Sequence, residues 1–161
     1  HLLRRQRQMC IRDSALGLPV DILVAQSALE TGWGQKIPQS KNGESSHNLF
    51  GIKASGGWQG KAVNVETLEY FAQTPVRVND SFRQYESLDE SIADYVSFIQ
   101  SSDRYQAAVD NAQQYPEQLQ QAGYATDPKY AQKIRSIVQR LEQMIDASAV
   151  VNNDDKLALI N

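Results

Sequence analysis

The chain has 161 residues, 41% of them hydrophobic, and a formal net charge of −3 at pH 7. That length suffices for one domain with a sizeable core, the acidic balance argues against nucleic acid as a partner, and no apolar run is long enough to span a membrane. The single cysteine, Cys10, gives disulfide or thiol chemistry nothing to stand on.

Residues 1–14, HLLRRQRQMCIRDS, have neither an initiator Met nor the apolar stretch of a signal peptide. Their QMCIRDS portion looks like a translated sequencing-adapter end. Native sequence is therefore expected to begin near Ala15, with the first helix of the domain truncated. Removing the four arginines and one aspartate of this leader deepens the net charge from −3 to −6 and takes Cys10 away.

Leu18-Pro19 followed by Asp21 suits a helix start, since proline fits the first turn and an acid there complements the helix dipole. In the following stretch, DILVAQSALETGWG, Ile22, Ala25 and Leu29 form one helical stripe. Leu23, Ser27 and Glu30 form its neighbour, which puts Glu30 at the margin of the buried face. Gly32 and Gly34 stop the helix and leave Trp33 in the turn. Residues 37–60, rich in Ser, Asn, Gly and Lys, predict a loop.

Across residues 61–71 the alternation puts Val63, Val65, Thr67, Glu69 and Phe71 on one strand face and Asn64, Glu66, Leu68 and Tyr70 on the other. Residues 76–85 read as strand again, with Asn79-Asp80 as a turn, giving a small antiparallel sheet of two or three strands. Ser87-Leu88-Asp89-Glu90 is a capping box, and Ile92, Tyr95, Val96 and Ile99 continue it as a helical stripe. Further helices are expected around Tyr105, Ala108, Val109 and Ala112, and over residues 116–122 up to Gly123. A long last one starts from Asp127-Pro128 and carries Tyr130, Ile134, Ile137, Val138, Leu141 and Ile145. Residues 147–161 read as a frayed or linker tail. The reading is an α+β domain over residues 15–146, with a mostly helical lobe and a small antiparallel β-lobe flanking a cleft.

Two carboxylates suit such a cleft. A half-desolvated Glu30 has the raised pKa that a general acid needs near neutral pH. The partner comes from the strand, where Glu66 and Glu69 point to opposite faces; Glu69 shares its face with Val63, Val65 and Phe71, where an unpaired carboxylate would be costly. Paired carboxylates of this kind break glycosidic bonds, one protonating the leaving oxygen and the other serving as base, nucleophile or charge stabiliser. Sugar rings bury apolar faces on aromatic side chains, and Trp33, Phe50, Trp58, Tyr70 and Tyr124 lie in or beside loop-like stretches. Tyr95, Tyr105 and Tyr130 sit on helical stripes and read as core. His47 has no Cys, His or Asp at ligand spacing, so no metal site is expected, and no cofactor.

AQSALETGWG, NLFGIKAS (residues 48–55), TLEYF (67–71), FRQYESLDESIADYVSFI (82–99) and AGYATDPKYAQKI (122–134) occur in this order. Together they resemble the C-terminal peptidoglycan-hydrolase domain of flagellar rod-assembly proteins of the FlgJ type, in glycoside hydrolase family 73. The resemblance runs from about Ala15 to Leu141. It implies a lysozyme-like fold and an endo-β-N-acetylglucosaminidase that cuts peptidoglycan glycan strands after N-acetylglucosamine. It maps the family's catalytic acid onto Glu30, its second carboxylate onto Glu69 and its cleft tyrosine onto Tyr124. Asn48 and Gly51, which flank Phe50 in the second motif, join Trp33, Phe50, Trp58 and Tyr70 as substrate-binding candidates. It also implies a periplasmic location and flagellar rod proteins as partners, through an N-terminal domain outside this chain. Two alternatives stay open: a muramidase or lytic transglycosylase on the same polymer, and a catalytically silent glycan-binding module. Glu69 acting as base, or assisting attack by the substrate's own acetamido group, is open as well.

Overall fold

The computed structural model describes residues 17–158, with side chains described up to residue 151. The leader assigned to residues 1–14 lies outside the described residues.

Helix α1, Val20–Thr31, is capped by Pro19 in extended conformation and has Asp21 in its first turn. It ends where Gly32 turns left-handed at φ 53°, which lets the amide of Trp33 reach back to the carbonyl of Ala28 at 2.8 Å. Ile22, Leu23, Ala25, Gln26, Ala28 and Thr31 are buried, while Leu29 and Glu30 are only partly covered. Glu30 therefore lies at the edge of the core, as the stripes predict.

A long loop leads to strands β1, Ala62–Phe71, and β2, Thr74–Arg83, which pair antiparallel with Glu69 opposite Val76 and Ala62 opposite Arg83. The turn expected at Asn79-Asp80 is not there. Both residues stay in β2, opposite Glu66 and Val65, and the chain reverses instead at Ala72-Gln73, with φ of 46° and 67°. Ten consecutive paired residues outweigh the local turn preference of Asn-Asp. The loop before β1 holds two isolated bridges, Gln39 to Ser45 within itself and Lys53 to Phe82 on β2, the second held by Ala54 N–H to Ser81 O at 2.8 Å and Arg83 N–H to Ile52 O at 3.0 Å. The second bridge lays Lys53 along the outer edge of β2.

Helix α2, Leu88–Ser101, opens on the capping box: Ser87 Oγ accepts from the Glu90 amide at 3.2 Å. The reciprocal arm is displaced by one residue, with Glu90 Oε2 accepting from the Glu86 amide at 2.8 Å. Two short helices follow, α3 at Gln106–Asp110 and α4 at Tyr115–Gln121, and the long α5 spans Tyr130–Ala158. Helix α1 packs on α5, and the core is formed by Leu18, Ile22, Leu23, Ala25, Phe50, Ile52, Tyr95, Ile99, Tyr105, Tyr115, Leu119, Tyr130 and Ile134, among others. Each large apolar side chain buried here contributes about 1.5–3 kcal/mol.

Helix α5 continues beyond Asp146, where the fading stripe predicts a frayed tail. From residue 142 to 151 every side chain is exposed, Ile145 among them at 63%. Backbone hydrogen bonding carries the helix on after its packing partners end. The result is an α+β fold: a helical lobe, and a two-stranded hairpin standing over one side of it.

Candidate active site

Between hairpin and helices lies a cleft of about 690 Å³, lined by Glu30, Gly51, Lys53, Glu69, Tyr70, Tyr124, Thr126 and Tyr130 among others. Of the residues singled out in the sequence, Glu30, Glu69, Tyr124, Gly51 and Tyr70 meet here.

Glu30 arrives from the last turn of α1. Its Oε1 accepts a hydrogen bond from the hydroxyl of Tyr130 at 2.8 Å, and Gly51 closes over its Oε2. A Cβ at position 51 would stand 2.9 Å from that oxygen, and Gly51 has φ 64°, so both space and backbone demand glycine. Burial pushes the Glu30 carboxyl up from its ordinary 4.5 to about 7. The Tyr130 hydrogen bond opposes the rise and the negative charge of Glu69 adds to it. A carboxylic acid that still holds its proton near neutrality is a general acid in waiting.

Glu69 lies on the more buried face of β1 with Val63, Val65 and Thr67, and with Thr67 it lines the cleft. It is paired, as the cost of an unpaired carboxylate on that face requires, but with partners from outside the hairpin. Lys53 Nζ lies 2.6 Å from Glu69 Oε1 and 2.6 Å from Asp80 Oδ2, and the Thr126 hydroxyl donates to Glu69 Oε2. Phe71 departs from the same pattern: at 58% exposure it sits at the hairpin tip, beyond the reach of the helical lobe. Tyr70 lines the cleft, and its amide donates to Thr126 Oγ1 at 2.9 Å. Thr126 thus ties β1 to the segment after α4. Arg104 braces that segment in turn, donating to the carbonyls of Ala122 and Gly123.

Tyr124 lines the cleft with its ring, stacked at 6.0 Å on Tyr130, while its hydroxyl donates to the carbonyl of Phe50. Its hydroxyl hydrogen is thus spent on holding the loop that carries Gly51.

Four substrate-binding candidates are not among the cleft-lining residues. Trp33 is 45% exposed, with the Arg140 guanidinium 5.1 Å from its ring centre; the left-handed turn that ends α1 sends it toward α5. Trp58 donates from Nε1 to the Lys61 carbonyl at 2.9 Å and packs edge-on against Tyr85, under Arg83. Phe50 is buried and stacks on Tyr95 at 3.9 Å. Asn48, also buried, donates from Nδ2 to the carbonyls of Ile52 and Arg83 at 2.9 Å each and accepts from the Ile52 amide at 3.1 Å. Asn48 and Phe50 shape the Gly51 loop from behind.

Sequence reasoning passed over Lys53, Thr126 and Tyr130. Tyr130 is core by burial, as its stripe predicts, yet its hydroxyl reaches Glu30 across 100 residues of sequence. The available signal was chemical: a buried tyrosine needs a partner for its hydroxyl, and a buried carboxyl is a ready one.

The chain is similar to proteins of known name and structure. The peptidoglycan hydrolase FlgJ of Pseudomonas aeruginosa is 46% identical over 130 residues, covering 79% of this chain and 32% of that protein. The chain therefore spans about a third of that relative's length. Among solved structures, a peptidoglycan hydrolase mutant from Sphingomonas sp. A1 matches with a TM-score of 0.74 at 37% identity, over 85% of this chain and 94% of that one. The glycoside hydrolase domain of Salmonella typhimurium FlgJ matches with a TM-score of 0.65 at 36% identity, over 96% and 94%. Residues 11–143 also match the family model of the mannosyl-glycoprotein endo-beta-N-acetylglucosaminidases. An acid and an ion-paired carboxylate facing one cleft are thus carried by a chain that belongs to the glucosaminidase family.

Proposed function

We propose that this chain is the catalytic domain of a peptidoglycan hydrolase, an endo-β-N-acetylglucosaminidase that cuts the glycan strand after N-acetylglucosamine. The observation that carries the reading is Glu30, held as a carboxylic acid to about pH 7 in a cleft that it shares with the ion-paired Glu69. Glu30 protonates the glycosidic oxygen as the bond to the anomeric carbon breaks. Glu69 faces the positive charge that develops on the sugar, and it either activates a water or steadies the acetamido group of the substrate as that group attacks. Tyr70 and Tyr124 offer apolar ring surface to the sugars.

The names of the FlgJ relatives support peptidoglycan as the polymer. On the same ground we place the action outside the cytoplasm, in the periplasm, where local cutting of the wall would let the flagellar rod pass, with rod proteins as partners. Among the described residues no helix is long and apolar enough to cross a membrane.

The test is mass spectrometry of the products released from purified peptidoglycan after borohydride reduction. Reduced N-acetylglucosamine ends are expected, and Glu30→Gln should release none. Reduced muramic acid ends would make the enzyme a muramidase and anhydro-muramic ends a transglycosylase; full activity of Glu30→Gln would remove Glu30 from the chemistry.

A further inference from the structure

Behind Glu30 runs a buried chain of hydrogen bonds whose direction can be read. Tyr95 donates to Gln26 Oε1 at 2.6 Å, and Gln26 Nε2 donates to the Tyr130 oxygen at 2.9 Å. Since the single hydroxyl hydrogen of Tyr95 is spent on Gln26, the 2.6 Å contact between Tyr95 and Tyr115 has Tyr115 as its donor. Tyr130, already accepting from Gln26, gives its own hydrogen to Glu30 Oε1. Every hydrogen points the same way, from Tyr115 through Tyr95, Gln26 and Tyr130 to the acid. Tyr95, Tyr115 and Gln26 are all 0% exposed and Tyr130 is 3% exposed, so no solvent competes for these bonds.

The amide is what sets the direction. A hydroxyl can donate or accept either way round, but a primary amide accepts at its oxygen and donates at its nitrogen, and a chain passing through it is polarised. Glu30 Oε1 is consequently always an acceptor. A protonated carboxyl has one O–H, which must then sit on Oε2, the oxygen turned away from Tyr130 and toward Gly51, a residue of the cleft lining.

We propose that Gln26 is a positioning residue that, through Tyr130, confines the transferable proton of Glu30 to Oε2, the oxygen turned toward Gly51. Without the Gln26 amide, Tyr130 is free to accept, and the Glu30 proton can turn inward onto it, away from the substrate. The catalytic part of this inference rests on the glycosidase reading; the proton's placement does not.

The test replaces Gln26 by Met, which keeps length and removes the amide. The titratable groups facing Glu30 are Glu69 of β1, Tyr124 after α4 and Tyr130 of α5, and the substitution touches none of them directly except through Tyr130's lost donor. The titration of Glu30 is followed by carbon-13 NMR of its side-chain carboxyl, and kcat and KM on purified peptidoglycan are measured against pH. The inward hydrogen bond favours the protonated form, so in Gln26→Met the Glu30 midpoint and the basic limb of kcat should both rise by about one pH unit, with kcat at its plateau down about tenfold and KM little changed. Tyr95→Phe, which frees the amide to turn over, should move both in the same direction, and it decides the matter should Gln26→Met fail to fold. A folded variant whose Glu30 titrates as in the parent overturns the proposal and leaves Gln26 a core residue. If the parent chain releases no product, the glycosidase reading fails by itself, while the carboxyl titration still decides where the proton sits.

Discussion

Glu30→Gln should stabilise the protein at alkaline pH while stopping its chemistry. The Glu30 carboxyl is raised from an ordinary 4.5 to about 7, chiefly by burial, so the folded chain holds this proton more tightly than the unfolded chain does. The stability it contributes is full below about pH 4.5 and is lost as the pH rises through about 7. At 1.36 kcal/mol per pH unit, the loss comes to about 3 kcal/mol by pH 8.5. Glutamine carries no charge, and its side-chain oxygen can still accept from Tyr130, so the variant escapes the loss without breaking the contact. Urea denaturation followed by tryptophan fluorescence, at pH 4.5, 6, 7 and 8.5, reads the difference directly. The variant should match the parent at pH 4.5 and exceed it by about 3 kcal/mol at pH 8.5, with a midpoint in thermal melts about 10 °C higher there. An offset that does not change with pH would refute the reasoning, because it would mean that Glu30 ionises in the fold as easily as in the unfolded chain.

Two substitutions probe the loop that covers the acid. Gly51→Ala forces a Cβ to 2.9 Å from Glu30 Oε2 at a left-handed φ, and should cost about 1–2 kcal/mol of stability and at least about tenfold in kcat; muropeptide release and urea titration measure both, and retained activity would mean that the loop yields easily. Asn48→Ala removes a partner from the Ile52 amide and from the Arg83 carbonyl, while the Ile52 carbonyl keeps the Arg83 amide, and is expected to lower stability by about 2 kcal/mol in denaturant titration; a loss under 1 kcal/mol would show that water replaces the amide.

What was legible in the sequence depended on how far each residue had to look for its partners. The position of Glu30 at the edge of the core follows from the 3.6-residue period of α1, and the cleft-facing side of Glu69 follows from strand alternation. The alternation misleads at Phe71, because the hairpin tip projects past the helices and both its faces meet solvent. Composition misleads at Asn79-Asp80, where a turn signal lies inside a continuous ladder, and the real turn falls on Ala72-Gln73, residues with no turn signature. Trp33 and Trp58 look like sugar platforms because they lie in glycine-rich loops, yet Trp33 turns toward Arg140 and Trp58 is bonded to Lys61 and packed on Tyr85. The partners of Glu30 and Glu69 were illegible for another reason: Tyr130 and Thr126 meet them across 100 and 57 residues, distances at which no local period carries information.

The two carboxylates are set apart by the kind of company they keep. Glu30 meets burial and the negative charge of Glu69, which keep a proton on it against the opposing hydrogen bond from Tyr130; Glu69 meets an ammonium and a hydroxyl. They also depend on different parts of the fold. The hydrogen-bonding partners of Glu30 run through Tyr130 and Gln26 into the packed helical core. Those of Glu69 come from outside the hairpin, Lys53 from the loop along β2 and Thr126 from the segment braced by Arg104. The hydrogen bonds of the acid therefore do not depend on the hairpin, whereas the second carboxylate keeps its Thr126 partner only while the hairpin stays docked. A change that loosens the hairpin should for this reason act first on the contacts of Glu69 and leave the Tyr130 hydrogen bond to Glu30 in place, lowering the Glu30 pKa only by the part that the nearby Glu69 charge supplies.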